Sequence, residues 1–94
     1  MAQRVQVKCI LKSGRTNLQE RITHIGGEQD GQHWWMTEGE AIGDMELGTY
    51  AFYTLVDGER VDLVIAMHGG RRYLKTRKDE LAPDTLLRLP ECPD

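Results

Sequence analysis

The chain has 94 residues, and its 12 Lys and Arg side chains against 15 Asp and Glu give a formal net charge of -3. A chain of this length hides roughly two thirds of its unfolded surface around one small core, which disfavours a Rossmann domain, a barrel enzyme or a two-lobed protein. Hydrophobic residues make up 39% and charged residues 29%, a mixture typical of a folded domain rather than a disordered chain. We expect one domain over residues 1–94, with a loose C-terminal tail at residues 91–94.

The first third of the chain predicts two strands and a shorter third one. Apolar and polar residues alternate over residues 4–12, which indicates a half-buried strand, and residues 18–25 predict a second strand that ends at Gly26-Gly27. The alternation is broken near the end of the second strand, so we expect a bulge or a bend there. After a turn centred on Asp30-Gly31, the segment Trp34–Met36 predicts a short strand whose two indoles point to opposite faces.

One helix is predicted, over residues 38–47. Thr37 and Glu40 have the spacing of a capping box, in which the two side chains accept hydrogen bonds from each other's backbone N–H groups. Gly48 is suited to end the helix in the left-handed conformation. Two internal glycines each cost about 1 kcal/mol relative to alanine, so packing rather than intrinsic propensity must hold this helix.

The second half of the chain predicts a three-stranded meander. Strands over residues 50–56, 59–67 and 71–76 are joined by the two-residue turns Asp57-Gly58 and Gly69-Gly70. Turns of this length set the register, which places Phe52 opposite Leu63, Tyr53 opposite Asp62, Ile65 opposite Leu74 and Val64 opposite Lys75. The predicted fold class is α+β: an antiparallel sheet of about five strands with one short helix, in the order ββαβββ. A half-open barrel is the alternative.

This register gives the meander two different faces. The core face, which the helix is expected to cover, holds Tyr50, Phe52, Val61, Leu63, Ile65, Met67 and Leu74. The opposite face holds Tyr53, Asp62, Val64, Ala66, Tyr73 and Lys75. This second face fits either a solvated surface with ordinary cross-strand pairs or a shallow ligand platform, with rings to stack on and Lys75 to meet an anion.

Charge is unevenly distributed along the chain. The last predicted strand and the residues after it carry the bases Arg71, Arg72, Lys75, Arg77 and Lys78, whereas the predicted helix carries the acids Glu38, Glu40, Asp44 and Glu46. With Tyr73 among the bases, the strand fits a phosphate-facing surface with a stacking ring, or a charged edge that prevents aggregation. The negative net charge argues against broad nucleic-acid binding, and it leaves room for a small anion held by two or three bases.

Two further segments are candidates for a binding site. Arg21 and Thr23 lie on one face of the second predicted strand and His24 on the other, and the glycine pair that follows fits a tight turn or the close approach of a ligand. Trp34 and Trp35 fit either core and interface packing or the aromatic wall of a pocket. Because spacing places no nucleophile with a base and no pair of carboxylates, we expect no enzymatic activity.

Membrane, metal and disulfide signals are weak. The longest apolar run, Leu63–Met67, is far shorter than the ~20 residues of a spanning helix, and no signal peptide is visible, so we expect a cytoplasmic protein with no membrane partner. In that reducing compartment Cys9 and Cys92 are expected to be free thiols, and a disulfide requires that the two ends lie together. With scattered histidines and no CxxC motif, we expect neither a metal site nor a cofactor.

Several segments recur in the order seen in a known family. They are Arg21–Gly27, the Trp before the helix, Glu40–Ile42, Phe52-Tyr53, Tyr73–Thr76 and Leu86–Cys92. In this order they closely resemble DUF3892, a small prokaryotic family of domains of unknown function, from about Val5 to Cys92. This chain departs from the family in its adjacent tryptophans and in the short Gly69-Gly70 turn. The resemblance implies a compact stand-alone domain of bacteria and their mobile elements, and it implies no activity.

The leading hypothesis is a non-enzymatic cytoplasmic binding protein that acts as a homo-oligomer. Its ligand is expected to be a small anionic or nucleotide-like molecule, and sequestration of a signal molecule is one version suggested by the family's mobile elements. The candidate ligand-binding residues are Arg21, His24, Trp34, Trp35, Tyr53, Asp62, Arg72, Tyr73 and Lys75. Two alternatives remain open: a protein-interaction or structural module anchored by Trp34 or Trp35, and single-stranded nucleic-acid binding along the basic strand.

Overall fold

A computed structural model, which describes residues 2–14 and 16–93, contains two β-sheets and a helix packed on them. The strands are β1 (Gln3–Gln6), β2 (Cys9–Lys12), β3 (Ile22–Gln29), β4 (Gln32–Thr37), β5 (Tyr50–Val56), β6 (Glu59–His68) and β7 (Arg71–Thr76). The helices are α1 (Glu38–Leu47) and α2 (Asp84–Leu87), and Leu18–Glu20 form a 3-10 turn.

The sheets have four strands in the order β1-β5-β6-β7 and three in the order β2-β3-β4. The predicted α+β class is confirmed, with two sheets in place of the expected single sheet. The strands of the described residues do not close into a barrel. β1 pairs with β5 in parallel, whereas the other paired strands are antiparallel.

Two sheets form because the first predicted strand is divided between them. The backbone N–H of Val7 donates to the carbonyl of Tyr53 in the first sheet, at 2.7 Å, and the N–H of Lys8 donates to the carbonyl of Gly26 in the second, at 2.8 Å. The buried hydroxyl of Thr54 donates to the carbonyl of Val7 at 3.0 Å and completes the crossing. Alternation along residues 4–12 cannot reveal this change of partner, because each half keeps the period of a strand.

The second predicted strand begins later and continues further than expected. Residues 18–20 form the 3-10 turn, and β3 runs straight through the glycine pair to Gln29. The expected irregularity lies earlier, at Thr23, where the register of β2 and β3 shifts. The glycine pair therefore marks the middle of a strand rather than its end.

The local turn and cap signals are confirmed. Thr37 and Glu40 form both hydrogen bonds of the capping box, and α1 ends at Gly48 with φ 78°. Asp57 and Gly58 have φ of 52° and 80°, the two left-handed residues of a type I′ hairpin turn. The observed pairs Tyr53–Asp62, Ile65–Leu74 and Val64–Lys75 agree with the predicted register.

The core lies between α1, α2 and the inner faces of both sheets. Its buried members are Val5, Val7, Ile10, Ile22, Ile25, Ala41, Ile42, Phe52, Leu63, Leu74 and Leu86. The prediction that Met67 belongs to the core is wrong, because this side chain is 66% exposed. The ladder between β5 and β6 ends at Asp62, so among the described strands β6 pairs only with β7 at Met67.

The C-terminal segment is tied to β2, which corrects two predictions. Cys9 and Cys92 form a disulfide rather than two free thiols. The N–H of Ile10 donates to the carbonyl of Pro90, and the N–H of Cys92 donates to the carbonyl of Ile10, each at 3.0 Å, so the predicted loose tail is wrong for residues 91 and 92. Residue 94 of the predicted tail lies outside the described residues.

The glycine at position 26 makes room for this disulfide. A Cβ atom there would lie 2.8 Å from the Cys92 sulfur, 3.0 Å from the Cys9 sulfur and 2.7 Å from the carbonyl oxygen of Trp34. The close approach predicted for the glycine pair is thus an approach of the protein's own atoms. The free-thiol prediction failed because only the tertiary structure brings the two chain ends together.

Candidate functional site

A polar cleft of about 750 Å³ lies where the N-terminal end of α1 meets the start of β3 and the start of β7. It is lined by Ser13, Glu20, Ile22, Thr23, His24, Thr37, Glu38, Gly39, Ile42, Arg71 and Arg72. Local signals assemble it: α1 begins directly after β4 because Thr37 caps it, and β7 begins directly after the Gly69-Gly70 turn. Three chain segments that are distant in sequence thereby contribute to one site.

Glu38 joins α1 to β7 inside this cleft. Its side chain is buried, and its Oε2 accepts a hydrogen bond from the backbone N–H of Leu74 at 3.2 Å, while Oε1 lies 3.4 Å from the Arg71 guanidinium. Burial raises the pKa of Glu38 above its ordinary value, and the Leu74 hydrogen bond and the charge of Arg71 offset part of that rise.

Arg71 bridges two carboxylates of the cleft. Its Nη1 lies 3.4 Å from Glu20 and its Nη2 lies 3.4 Å from Glu38. The neighbouring Arg72 forms an ion pair with Glu46 near the end of α1. The acidic helix and the basic strand predicted as two unlike regions are therefore packed together, and part of their charge is neutralised within the molecule.

The hydrogen bonds of His24 and Thr23 fix the tautomer of the neutral His24 ring. The Thr23 hydroxyl donates to the carbonyl of Leu11 at 3.1 Å, so its oxygen must accept the hydrogen bond from His24 Nδ1 at 3.0 Å. In the neutral imidazole Nε2 is then an acceptor, and in the protonated ring both nitrogens donate.

The capping box next to His24 is electrostatically distinct from Glu38. The backbone N–H and the hydroxyl of Thr37 both donate to Glu40 Oε1, at 3.1 and 3.0 Å. These hydrogen bonds lower the pKa of Glu40, with a smaller contribution from His24. Two glutamates in the first turn of one helix thus have pKa values shifted in opposite directions.

An aromatic groove of about 360 Å³ lies between β4 and the inner faces of β1 and β5. Its lining comprises Val5, Gln29, Asp30, Gln32, His33, Trp34, Trp35, Met36, Tyr50 and Phe52. The Trp34 ring centroid lies 6.0 Å from that of Phe52, and the buried Trp34 Nε1 has no hydrogen-bond partner among the described residues. Trp35 is 53% exposed on the other face of β4, as predicted for adjacent residues in a strand. The described lining of this groove contains neither Lys nor Arg.

The predicted ligand platform on the outer face of the meander is not available for stacking. Tyr73 is 2% exposed, and its hydroxyl donates to the carbonyl of Leu81. The Lys75 ammonium donates to the carbonyl of Asp79 at 2.8 Å. Residues 79–81 turn back beside β7 and occupy both groups, which alternation within the strand could not indicate.

Tyr53 and Asp62 remain opposite each other but are engaged by arginines. The Arg60 guanidinium lies 4.7 Å from the centroid of the Tyr53 ring, and Arg77 lies 3.8 Å from the Asp62 carboxylate. Both residues line a separate, smaller cavity of about 270 Å³. Arg21 is exposed next to the 3-10 turn and does not line the polar cleft.

The structure therefore divides the predicted site residues between separate cavities. Of the nine predicted site residues, His24 and Arg72 line the polar cleft, and Trp34 and Trp35 line the aromatic groove. Sequence reasoning missed Glu38 as a site residue, because its position at the start of a helix is equally suited to a solvated carboxylate. It counted Arg71 in the basic strand without placing it in a site.

The fold and cleft define a small α+β domain with a charged cleft at the start of its helix. In the described part of the chain, none of the helices has the length and apolar character needed to cross a membrane. Residues 6–90 match the family model described as "Protein of unknown function (DUF3892)". Because the match spans most of the 94 residues, the chain belongs to this family, as the resemblance predicted. No curated protein and no solved structure matches the chain.

Proposed function

We propose that the protein is a non-enzymatic binding protein that holds a small anionic ligand in the polar cleft. The observation that carries the proposal is the convergence of three basic side chains, His24, Arg71 and Arg72, from two strands in one cleft. The volume of about 750 Å³ lies in the range of small-molecule sites.

The two arginines retain the capacity to bind an anion. The guanidinium of Arg71 has five N–H donors, and its two carboxylate contacts at 3.4 Å use part of that set. The Arg72 side chain is 49% exposed, and its pair with Glu46 is of a type worth about 0–1 kcal/mol. A phosphate or carboxylate of the ligand displaces such a partner at little cost.

The N-terminal end of α1 adds backbone donors to the same cleft. Thr37 caps the N–H of Glu40, and the first two N–H groups of the helix, those of Glu38 and Gly39, have no partner within the helix. The space beside the Gly39 Cα is open: outside its own helix backbone and chain neighbours, no atom of the described residues lies within 4 Å of the position of a Cβ. The helix dipole favours negative charge at this end.

The lining of the polar cleft limits how a nucleotide-like ligand could be held. Among the described lining residues the polar cleft has no Trp, Tyr or Phe ring, so a nucleotide-like ligand would be held through its phosphates without base stacking. The proposed role is binding rather than catalysis because both oxygens of the buried Glu38 carboxylate already have partners.

A cytoplasmic location is part of the same proposal, and it requires that the disulfide persist in a reducing compartment. The cytoplasm keeps most thiols reduced, whereas Cys9 and Cys92 are joined here. Labelling of free thiols in intact cells distinguishes the two states: a cytoplasmic protein with a stable disulfide stays unlabelled until it is reduced and unfolded.

Isothermal titration tests the proposed site with inorganic phosphate, citrate and mono-, di- and cyclic nucleotides. We expect the Arg72→Gln variant to bind the responding anion about tenfold more weakly or worse, as for the loss of a charge-assisted hydrogen bond. Arg77→Gln is the matched control, because it also removes one exposed ion pair of this basic segment, yet Arg77 does not line the cleft. Absence of heat with all these anions, or equal weakening in both variants, would contradict the proposal.

A further inference from the structure

The outer edge of β4 is open, which distinguishes it from the edges of β2 and β7. The turn Asp30-Gly31 closes the β3–β4 hairpin at the pair Gln29–Gln32, and pairs alternate between bonded and non-bonded from there. His33 and Trp35 therefore direct their backbone N–H and C=O groups away from β3. Gly26 is the residue of β3 opposite Trp35, and its carbonyl accepts a hydrogen bond from the N–H of Lys8, on the side away from β4. This agrees with Gly26–Trp35 being a non-bonded pair.

These outward groups have no partner among the described residues. No hydrogen bond from another main-chain segment or side chain in residues 2–14 and 16–93 reaches the backbone of His33 or Trp35. The usual protections of an edge strand are lacking as well, because β4 contains no Pro, Lys or Arg. The aromatic groove follows this edge, since its lining includes both Trp34 and Trp35 from opposite faces of β4.

We infer that a second copy of the chain pairs with β4 through its own β4, in antiparallel orientation about a two-fold axis. Placing Trp34 opposite the same residue of the other copy sets His33 opposite Trp35 twice, and forms about four main-chain hydrogen bonds. The three-stranded sheets of the two copies then form one continuous sheet of twice the width.

Charge favours a second copy as the occupant. Gln32–Thr37 contain no acid and no fixed positive charge, so self-pairing brings no like charges directly opposite each other, although the whole chain carries -3. The histidine of β4 lies 3.8 Å from Glu28 of its own hairpin and needs no partner across the axis. Pairing also covers Trp35, which is 53% exposed on the solvent face.

Light scattering after size-exclusion chromatography, from micromolar to millimolar concentration, tests the inference. We expect wild type to reach twice the mass of the chain and Trp35→Lys to keep the mass of one chain, because lysine on an edge opposes pairing. Met67→Lys is the matched control: it replaces another exposed apolar side chain, 66% exposed on β6, and should leave the dimer intact. Circular dichroism establishes that both variants are folded.

Amide hydrogen exchange tests whether the dimer contact lies at β4. The amides of His33 and Trp35 should become protected as the wild-type concentration rises, and those of Trp35→Lys should not. A wild-type protein of single-chain mass at every concentration would overturn the inference. The same conclusion would follow from equal effects of Trp35→Lys and Met67→Lys, or from a dimer in which these two amides stay unprotected. None of these outcomes depends on anion binding in the polar cleft.

Discussion

β7 and β4 are both edge strands, but they differ in whether their outward backbone groups have hydrogen-bond partners. On β7, the outward N–H of Leu74 donates to Glu38, and that of Thr76 donates to Asp79, at 3.2 and 3.1 Å. On β4, the outward backbone groups of His33 and Trp35 have no hydrogen-bond partner among the described residues. One edge is closed by carboxylates and the other is left available for pairing.

One carboxylate contributes both to the closed edge of β7 and to the polar cleft. Glu38 closes β7 and also lies in the cleft, where Arg71 balances its charge. Asp79 closes the end of β7 and holds the start of α2 through Thr85. A carboxylate that protects an edge can therefore position the bases of a binding site, whereas β4 contains no carboxylate to do so.

The largest effect is expected at a third edge, that of β2, which the C-terminal segment closes. Cys92→Ser removes a bridge between residues separated by 83 positions, and we expect it to lower the free energy of unfolding by about 4 kcal/mol under oxidising conditions. Urea denaturation followed by tryptophan fluorescence measures the loss. Reduction of wild type should produce the same destabilisation, so equal stability of Cys92→Ser and the oxidised wild type would contradict the bridge.

The next effect is expected on the closed edge of β7. Asp79 accepts hydrogen bonds from the N–H and hydroxyl of Thr76 and from the N–H and hydroxyl of Thr85. Asp79→Ala leaves these donors without their acceptor, and Thr76 is buried, so we expect a loss of about 3 kcal/mol in urea denaturation. Asp62→Ala, at an exposed carboxylate paired at 3.8 Å, should cost less than about 1 kcal/mol. Similar losses in the two variants would show that edge closure contributes little.

The smallest effect is a difference in pH dependence between the two glutamates at the start of α1. The pKa of Glu38 is raised in the folded state, so its ionisation opposes folding, and this penalty grows as pH rises from the unfolded value through the raised value. The pKa of Glu40 is lowered, so its contribution to stability is present above the unfolded value and is lost as pH falls through the lowered value.

Stability curves from pH 3 to pH 7 should therefore diverge for the two neutral variants (this range spans the ordinary carboxyl pKa of about 4). The stability cost of Glu38→Gln should be smaller at the neutral end than at the acidic end, and that of Glu40→Gln should be larger at the neutral end. If the stability costs of both variants had the same pH dependence, the two carboxylates would not differ in the direction of their pKa shifts.

The sequence predicted individual residues of the candidate site but not how they are grouped. Arg72 was identified from the run of bases around Tyr73, and His24 from its place beside a glycine pair. Tyr73 and Lys75 were assigned to the same ligand but lie in contact with residues 79–81 instead. The burial of Glu38 depends on β7, which is more than thirty positions away in the chain. A contact of that separation leaves no periodic signal in either segment.

Sequence alone determined the elements whose signals are local. The bounds of α1, β5 and β7 and the register of the meander follow from a capping box and two-residue turns, because such hydrogen bonds link residues only a few positions apart. Tertiary structure decided the division of the first strand into two sheets, the Cys9–Cys92 disulfide, and the separation of the aromatic groove from the polar cleft. Each of these depends on which distant surfaces bury each other, and burial is a property of the assembled core rather than of any one segment.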